Sequence, residues 1–134
     1  MAHILLVEDD KLNIIIFTKL LERRGKFQVT HSEDPEIILE LCRSQEIDLV
    51  LMDISLNKSK YQGKFIDGVE ITKLLKNDPA TKSIPVILTT AHAMSGDKEE
   101  FLTDSGADAY VTKPVTDHEG FIEQVRRLAI ISKS

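Results

Sequence analysis

Two groups of carboxylates in this sequence each follow directly on a run of apolar residues. Glu8 and Asp9 come after the run 4–7, and Asp53 ends the run 49–52. Uninterrupted apolar runs of this length are typical of strands buried on both faces of a parallel sheet. The carboxyl ends of such strands form the edge where open α/β sheets build their sites. The sequence therefore predicts an acidic cleft that contains all three carboxylates.

A cleft of this kind is expected to bind a cation, because its carboxylates repel one another. The repulsion is about 4 kcal/mol for two charges 4 Å apart at an effective dielectric of about 20. The ligands are hard oxygens, and no cysteine or histidine lies at metal-binding spacing, so Mg²⁺ or Mn²⁺ is favoured. A carboxylate beside such a metal is suited to phosphoryl transfer, with that carboxylate as the nucleophile.

Two further strand ends should contribute to the same cleft. Thr90 closes a predicted strand and offers a hydroxyl, whereas Lys113 closes the next strand and offers a fixed positive charge. Both could bind the oxygens of a phosphoryl group on Asp53. Asp10, in contrast, is expected to favour a helix N-terminus and to do nothing more.

The order of elements predicts a doubly wound α/β sheet. Five strands alternate with five helices, and each crossover must return over one face of the sheet. The first, third and fourth strands are the most apolar and belong in the middle, which selects the flavodoxin-like (βα)5 order 2-1-3-4-5. The expected strands cover residues 3–7, 27–32, 48–53, 86–90 and 109–112.

The helical patterns predict apolar stripes and helix ends. A helix over about 11–24 has a stripe at Leu12, Ile15, Ile16 and Leu20 and is expected to end at Gly25 as its C′ residue. A second helix begins after Asp34-Pro35 and is expected to bury a stripe made of Ile37, Ile38, Leu41 and Cys42.

Composition limits the class of protein. The chain has 134 residues, which predicts one domain over 1–134 without an output domain. A net charge of −5 argues against a nucleic-acid partner, and no apolar run is long enough for a membrane span. The single cysteine, Cys42, suits a reducing compartment, so we expect a cytoplasmic protein. The initial Met and the short segment after the last helix favour a whole protein.

Four segments carry a resemblance to a known family. They are Leu6-Val7-Glu8-Asp9-Asp10, Leu51-Met52-Asp53, Thr89-Thr90-Ala91 and residues 106–114, which read GADAYVTKP. In this order, each at the end of a predicted strand, they resemble the receiver domains of two-component response regulators. The resemblance covers nearly the whole chain.

The resemblance implies a role for each residue of the cleft. Asp53 would accept a phosphoryl group from a histidine kinase or phosphotransfer protein, and the product would signal to a partner that the sequence does not identify. Glu8 and Asp9 would form the acid pair that binds Mg²⁺, and the backbone carbonyl of Ser55 would supply a third metal contact.

The same resemblance implies a switch. Thr90 and Lys113 would sense the phosphoryl group, and Tyr110 would be the aromatic side chain that changes position. His92 occupies a position that can affect the access of water to the phosphoryl group. The fourth helix, fifth strand and fifth helix would form the face that binds a partner or a second copy in a homodimer.

One segment departs from the family pattern. Asn57 stands where a proline is common, and the Asp67-Gly68 pair arrives about seven residues late, after a loop longer than the roughly 2–6 residues usual for such connections. Residues 57–64 contain lysines and Tyr61, so the segment either contacts a partner or is a solvated loop.

Two other functions fit parts of the pattern. An aspartyl-phosphate phosphatase of the haloacid-dehalogenase type needs a second aspartate two residues after the nucleophile, where this chain has Ser55. A flavodoxin-type electron carrier needs an anion-accepting loop after the first strand, where Glu8 and Asp9 would repel a flavin phosphate. A signalling protein rather than an enzyme is therefore expected.

Overall fold

A five-stranded parallel sheet organises the computed structural model, which describes residues 2–56, 59–91 and 97–131. The strands along the chain are His3–Val7 (β1), Gln28–His31 (β2), Leu49–Asp53 (β3), Lys60–Tyr61 (β4), Lys64–Phe65 (β5), Val86–Thr90 (β6) and Ala109–Thr112 (β7). The sheet order is β2-β1-β3-β6-β7, and β4 and β5 form a separate antiparallel hairpin. The predicted order 2-1-3-4-5 is therefore confirmed for the five sheet strands.

Five α-helices cover the two faces of the sheet. They are Lys11–Lys19 (α1), Pro35–Arg43 (α2), Gly68–Asn77 (α3), Asp97–Ser105 (α4) and His118–Ile131 (α5), and a π-helical segment, Leu20–Arg24, continues α1. The side chains of Asp10, Asp34 and Asp67 accept hydrogen bonds from the first backbone N–H groups of α1, α2 and α3. The described helices include none long and apolar enough to cross a membrane.

The core is two apolar layers on either side of β3. Val50 and Met52 face one layer together with side chains of α2 and α3, whereas Leu49 and Leu51 face the other with side chains of α1 and α5. Every residue of β3 is buried, as expected for the central strand of a parallel sheet. Asp53 is thereby held at the end of the most enclosed strand.

The apolar stripe predicted for the first helix is largely wrong. Leu12, Ile15 and Ile16 are 64%, 52% and 45% exposed, and the buried side chains are Phe17 and Leu20 together with Leu21 of the π-helical segment. The helix has apolar residues on two faces, and the sheet can cover only one of them. The face with Phe17 is covered, because its ring meets that of Phe121 at a centroid distance of 5.8 Å.

The second helix shows a smaller difference of the same kind. Ile38 and Cys42 are buried as predicted, but Ile37 is 45% exposed and Leu39 is buried in its place. Leu41 is only partly buried against the core.

The helix ends at Gly25 as predicted, but Gly25 is the C-cap of the π-helical segment and not its C′ residue. Gly25 has an ordinary φ of −85°, and the left-handed residue is Lys26, with φ of 59°. The glycine is required for space, because a Cβ at this position would lie 2.5 Å from the ring of Phe27.

The long segment after β3 contains a hairpin rather than an irregular loop. Gln62 and Gly63 both have positive φ, 52° and 82°, as in the type I′ turn that joins twisted antiparallel strands. Tyr61 and Ile66 pack against the core layer of α2 and α3. Asn57 lies outside the described residues.

We expect Gly68→Ala to lower the free energy of unfolding by about 1–3 kcal/mol, because an added Cβ would lie 2.1 Å from the carbonyl oxygen of Asp53. Urea denaturation monitored by circular dichroism measures the change. Asn77→Ala, at the exposed last residue of the same helix, is the control and should stay within about 0.5 kcal/mol of wild type. Equal stability of all three proteins would contradict the close contact.

Candidate functional site

The ends of β1 and β3 bring the predicted acidic cleft together. The two strands are neighbours, with Val7 paired to Met52, so the next residue of each strand end lies at the same edge. One carboxylate oxygen from each of Glu8, Asp9 and Asp53 lies within 4.8 Å of the others. Glu8 is 1% exposed and Asp53 is 2% exposed, whereas Asp9 is partly exposed. Two carboxylates of the cleft are therefore buried, and the third is partly exposed to solvent.

Lys113 reaches into this cleft from the end of β7. Its Nζ lies 2.9 Å from Oε1 of Glu8 and 3.3 Å from Oδ1 of Asp53, and its side chain is buried. Its backbone N–H donates to the carbonyl oxygen of Thr90 at 2.7 Å, which ties the strand end to β6. Removing one partner from a buried ion pair typically costs about 3–5 kcal/mol, since the other charge is left uncompensated. Lys113 therefore neutralises part of the acidic charge.

Burial determines the protonation behaviour of Glu8. Loss of hydration raises the pKa of Glu8 above its usual value, and the neighbouring Asp53 carboxylate adds to the rise. The Lys113 ammonium group and the backbone N–H of Asp10 lower the pKa and offset part of the rise. The backbone N–H groups of Asp9 and Asp10 both donate to Oε2 of Glu8 at 3.2 Å. A second cation in the cleft would stabilise the ionised form of Glu8.

Asp53 is oriented by its own loop. The backbone N–H of Ser55 donates to Oδ1 of Asp53 at 3.0 Å, so this N–H and the Lys113 ammonium group approach the same oxygen. The following residue, Leu56, is buried in the core and fixes the path of the chain. The predicted metal contact through the carbonyl of Ser55 stays a prediction.

Thr90 and Tyr110 lie on one face of the sheet. Thr90 is buried at the end of β6 and pairs with Thr112 of β7. Tyr110 of β7 pairs with Leu88, which lies two residues before Thr90. The Tyr110 ring is partly buried and stacks on Phe101 of α4, with a centroid distance of 6.3 Å and an interplanar angle of 14°. The two residues are diagonal neighbours in a parallel pair, which is close enough for long side chains to interact.

His31 contributes to the site in a way that the sequence analysis missed. The ring N–H at Nε2 of His31 donates to the carbonyl oxygen of Glu8 at 2.7 Å. His31 ends β2 opposite Leu6, two residues before Glu8, and its side chain extends along the strand direction to the carbonyl oxygen of Glu8. The contact could have been predicted from the expected strand order, because that order places the second strand beside the first. His92 lies outside the described residues.

The exposed side chains of α1 are the second feature that was missed. Leu12, Ile15 and Ile16 form an apolar stripe on α1, whose N-cap Asp10 comes directly after the acid pair. The sequence could have indicated this stripe, because residues 14–17 are all apolar and one face of a helix cannot bury all of them.

The residues of the cleft fit a magnesium ion. Glu8, Asp9 and Asp53 are the one group of at least three His, Cys, Asp or Glu side chains in the described residues close enough to share a metal ion. All three would supply oxygen ligands, and Asp9 is partly exposed to solvent. Hard oxygen ligands and an incomplete protein shell are the preferences of Mg²⁺.

Comparisons with known proteins agree with this geometry. The polar-differentiation response regulator DivK of Brucella anthropi is 37% identical over 123 residues, which cover 92% of each chain. The receiver domain of sensor histidine kinase PA1611 from Pseudomonas aeruginosa superposes with a TM-score of 0.78 at 27% identity and covers 96% of this chain and 97% of that one. Its crystal structure contains a magnesium ion coordinated in the active-site cleft.

A CheY-like receiver domain protein from Methanospirillum hungatei has the same fold, with a TM-score of 0.77 at 23% identity over 99% of this chain and 97% of that one. Residues 4–126 match the family model of the response regulator receiver domain. With its sheet order, its acidic cleft and a lysine at the end of β7, the chain belongs to the response regulator receiver domain family.

Proposed function

We propose that Asp53 accepts a phosphoryl group from a histidine of a kinase or phosphotransfer protein, and that the product signals by docking to a partner protein. One observation carries the proposal: the nearly buried carboxylate of Asp53 shares a cleft with Glu8 and Asp9 and contacts the ammonium group of Lys113. The cytoplasmic location expected from the sequence is part of this proposal.

The reaction needs an oxygen of Asp53 as nucleophile. This oxygen forms a bond to phosphorus, the bond from phosphorus to the donor's imidazole nitrogen breaks, and the electron pair returns to that nitrogen. Ser55 N–H and Lys113 both approach Oδ1, so we assign Oδ2 as the attacking oxygen. Glu8, Asp9 and Asp53 would hold Mg²⁺ or Mn²⁺, which when bound offsets negative charge on the phosphoryl oxygens.

Lys113 and Thr90 would then bind the product. A phosphoryl group carries about 1.5 to 2 negative charges and three strong acceptor oxygens. Lys113 Nζ already lies 3.3 Å from Asp53 and can transfer its contact to one of these oxygens. Thr90 ends the neighbouring strand and offers its hydroxyl.

The exposed stripe of α1 is the surface we assign to the phosphoryl donor. Asp53 is 2% exposed, so a donor histidine must enter the cleft, and the protein surface around that histidine must rest on the rim. Leu12, Ile15 and Ile16 lie on the helix that starts at this rim. Exposed apolar patches beside a site are typical of protein interfaces.

The output surface would be formed by α4, β7 and α5. Tyr110 lies on β7 and stacks on Phe101 of α4, so a movement of its ring would change the shape of this face. A docking partner, or a second copy of the chain, would bind one position of the ring more tightly. Such a switch requires differential affinity for the two positions.

The proposed acceptor is tested by incubating the protein with a small acyl phosphate and Mg²⁺ and measuring intact mass. Wild type should gain one phosphoryl group, whereas Asp53→Asn, or wild type in excess chelator, should gain none. Asp10→Asn is the matched control, because Asp10 caps α1 through the N–H groups of Leu12 and Asn13 and asparagine caps equally well. Phosphorylation of Asp53→Asn would show that another residue is the acceptor.

The donor surface is tested with the double variant Leu12→Asp and Ile16→Asp. Charges on the apolar stripe should lower the rate of phosphoryl transfer from a phosphorylated histidine kinase, selected by profiling, by about tenfold or more. The rate with a small acyl phosphate should not change. Ile130→Asp, at a side chain 62% exposed on α5, is the control. Unchanged transfer from the kinase to the double variant would remove α1 from the interface.

The switch is tested with Thr90→Ala and Tyr110→Ala. Both variants should still be phosphorylated on Asp53, because neither residue supplies the nucleophile or a carboxylate ligand. Both should lose most of the gain in affinity that phosphorylation gives to the downstream partner, measured by titration calorimetry. A gain equal to that of wild type would mean that the signal leaves through another surface.

A further inference from the structure

The carbonyl group of Glu8 lies just beyond the point where the backbone pairing of β1 with β2 ends. The carbonyl oxygen of Ala2 accepts from the backbone N–H of Gln28 at 2.9 Å. The carbonyl oxygen of Leu6 accepts from the backbone N–H of Ser32 at 3.2 Å. Carbonyl groups of alternate residues in a parallel strand face the same neighbour. The carbonyl group of Glu8, two residues after Leu6, therefore also faces the second strand.

A side chain supplies the donor at this position. The next backbone N–H in register would be that of Asp34, but it donates to Oγ of Ser32 at 3.2 Å, because the chain turns there into α2. The ring N–H at Nε2 of His31 instead donates to the carbonyl oxygen of Glu8 at 2.7 Å. The imidazole therefore continues the hydrogen-bond ladder one step beyond the end of β2.

This hydrogen bond acts on the peptide unit that joins two of the predicted metal ligands. The carbonyl oxygen of Glu8 and the N–H of Asp9 belong to one planar peptide unit. His31 holds the oxygen of this unit, and Oε2 of Glu8 accepts from its N–H at 3.2 Å. A rotation of the unit would break both hydrogen bonds. The two contacts therefore fix the direction in which the chain continues to Asp9.

Asp9 depends on its backbone more than Glu8 does. Glu8 is 1% exposed, so packing on all sides holds its side chain, whereas Asp9 is partly exposed. The chain is fixed before this pair by β1, which ends at Val7, and after it by Asp10, which caps α1. The peptide unit that His31 contacts lies between these two fixed points. Its orientation therefore determines where the carboxylate of Asp9 can lie.

We infer that His31 is a positioning residue of the acidic cleft: it holds the peptide unit between Glu8 and Asp9 so that the Asp9 carboxylate faces that of Asp53 and can share Mg²⁺ with it. The carboxylate oxygens concerned lie within 4.8 Å of one another. Groups that orient metal ligands commonly change the affinity for the metal. The inference rests on the magnesium site of the proposed function, and His31 acts in it through the backbone and not as a ligand.

The test compares the Mg²⁺ affinity of wild type and His31 variants by isothermal titration calorimetry. His31→Phe keeps an aromatic ring but cannot donate, so it should bind Mg²⁺ about threefold to tenfold more weakly. His31→Gln places an amide N–H at a reach similar to that of Nε2 and should restore most of the affinity. His31→Asn, whose amide is one bond shorter, should not. His31 is exposed, so the variants should fold, which circular dichroism verifies.

His3→Phe is the matched control for the loss of a histidine from the sheet. His3 is the first residue of β1, at the end of the strand away from the cleft, and its Nε2 lies 2.6 Å from Oγ1 of Thr30. This variant should bind Mg²⁺ as wild type does. Adding His31→Phe to Asp9→Asn should weaken binding no further, because the effect of His31 passes through Asp9.

A second measurement needs no metal. The amide hydrogen of Asp9 should exchange with solvent faster in His31→Phe than in wild type, as followed by nuclear magnetic resonance, and His31→Gln should restore the slower rate. Equal Mg²⁺ affinity of wild type and His31→Phe, or a loss that His31→Gln does not restore, would overturn the inference. Failure of wild type to bind Mg²⁺ would overturn the proposed magnesium site and the inference with it. Failure of wild type to accept a phosphoryl group, with the expected affinities intact, would overturn the proposed function alone.

Discussion

The burial of two like charges at adjacent strand ends is the constraint on which this structure depends. Glu8 and Asp53 are almost fully removed from solvent, and each would be ionised in water at neutral pH. Desolvation and repulsion by the Asp53 carboxylate therefore oppose the charged form of Glu8, as its raised pKa reflects. One ammonium group, that of Lys113, compensates two carboxylates, and Asp9 adds a third negative charge at the rim. The described residues of the cleft are short of positive charge, which is the physical reason that they fit a divalent cation.

The sheet order makes this arrangement possible. Lys113 reaches the cleft because β7 lies beside β6 and β6 beside β3, so three strand ends meet at one edge. The crossovers keep the strands parallel, and the two core layers fix β3 from both sides. Gly68 adds a local requirement, since the first residue of α3 passes so close to the backbone of Asp53 that only a hydrogen atom fits. The chain after Asp53 is therefore constrained at the point where it enters α3.

Apolar side chains that the sheet does not cover define the surfaces available for recognition. The stripe on α1 lies beside the acidic rim, and Phe65 projects from a hairpin that packs through its other side. The two differ in their surroundings: the stripe follows the acid residues, whereas Phe65 stands among lysines. The two exposed apolar surfaces of the domain therefore differ in the charge of the residues around them.

The local pattern of the sequence determined the five strands of the parallel sheet, their order and the membership of the acidic cleft, but not the hairpin of β4 and β5. Apolar runs reveal burial on both faces, and the residue that ends such a run lies at the functional edge whatever the details of packing. Only the tertiary structure decided which face of α1 is buried, because two apolar faces competed for one sheet. The tertiary structure also decided the contact of His31 with Glu8. It likewise decided the pairing of Lys113 with Glu8, two residues that are 105 positions apart in the sequence. Such contacts depend on the distances between strand ends, which hydrophobic periodicity does not encode.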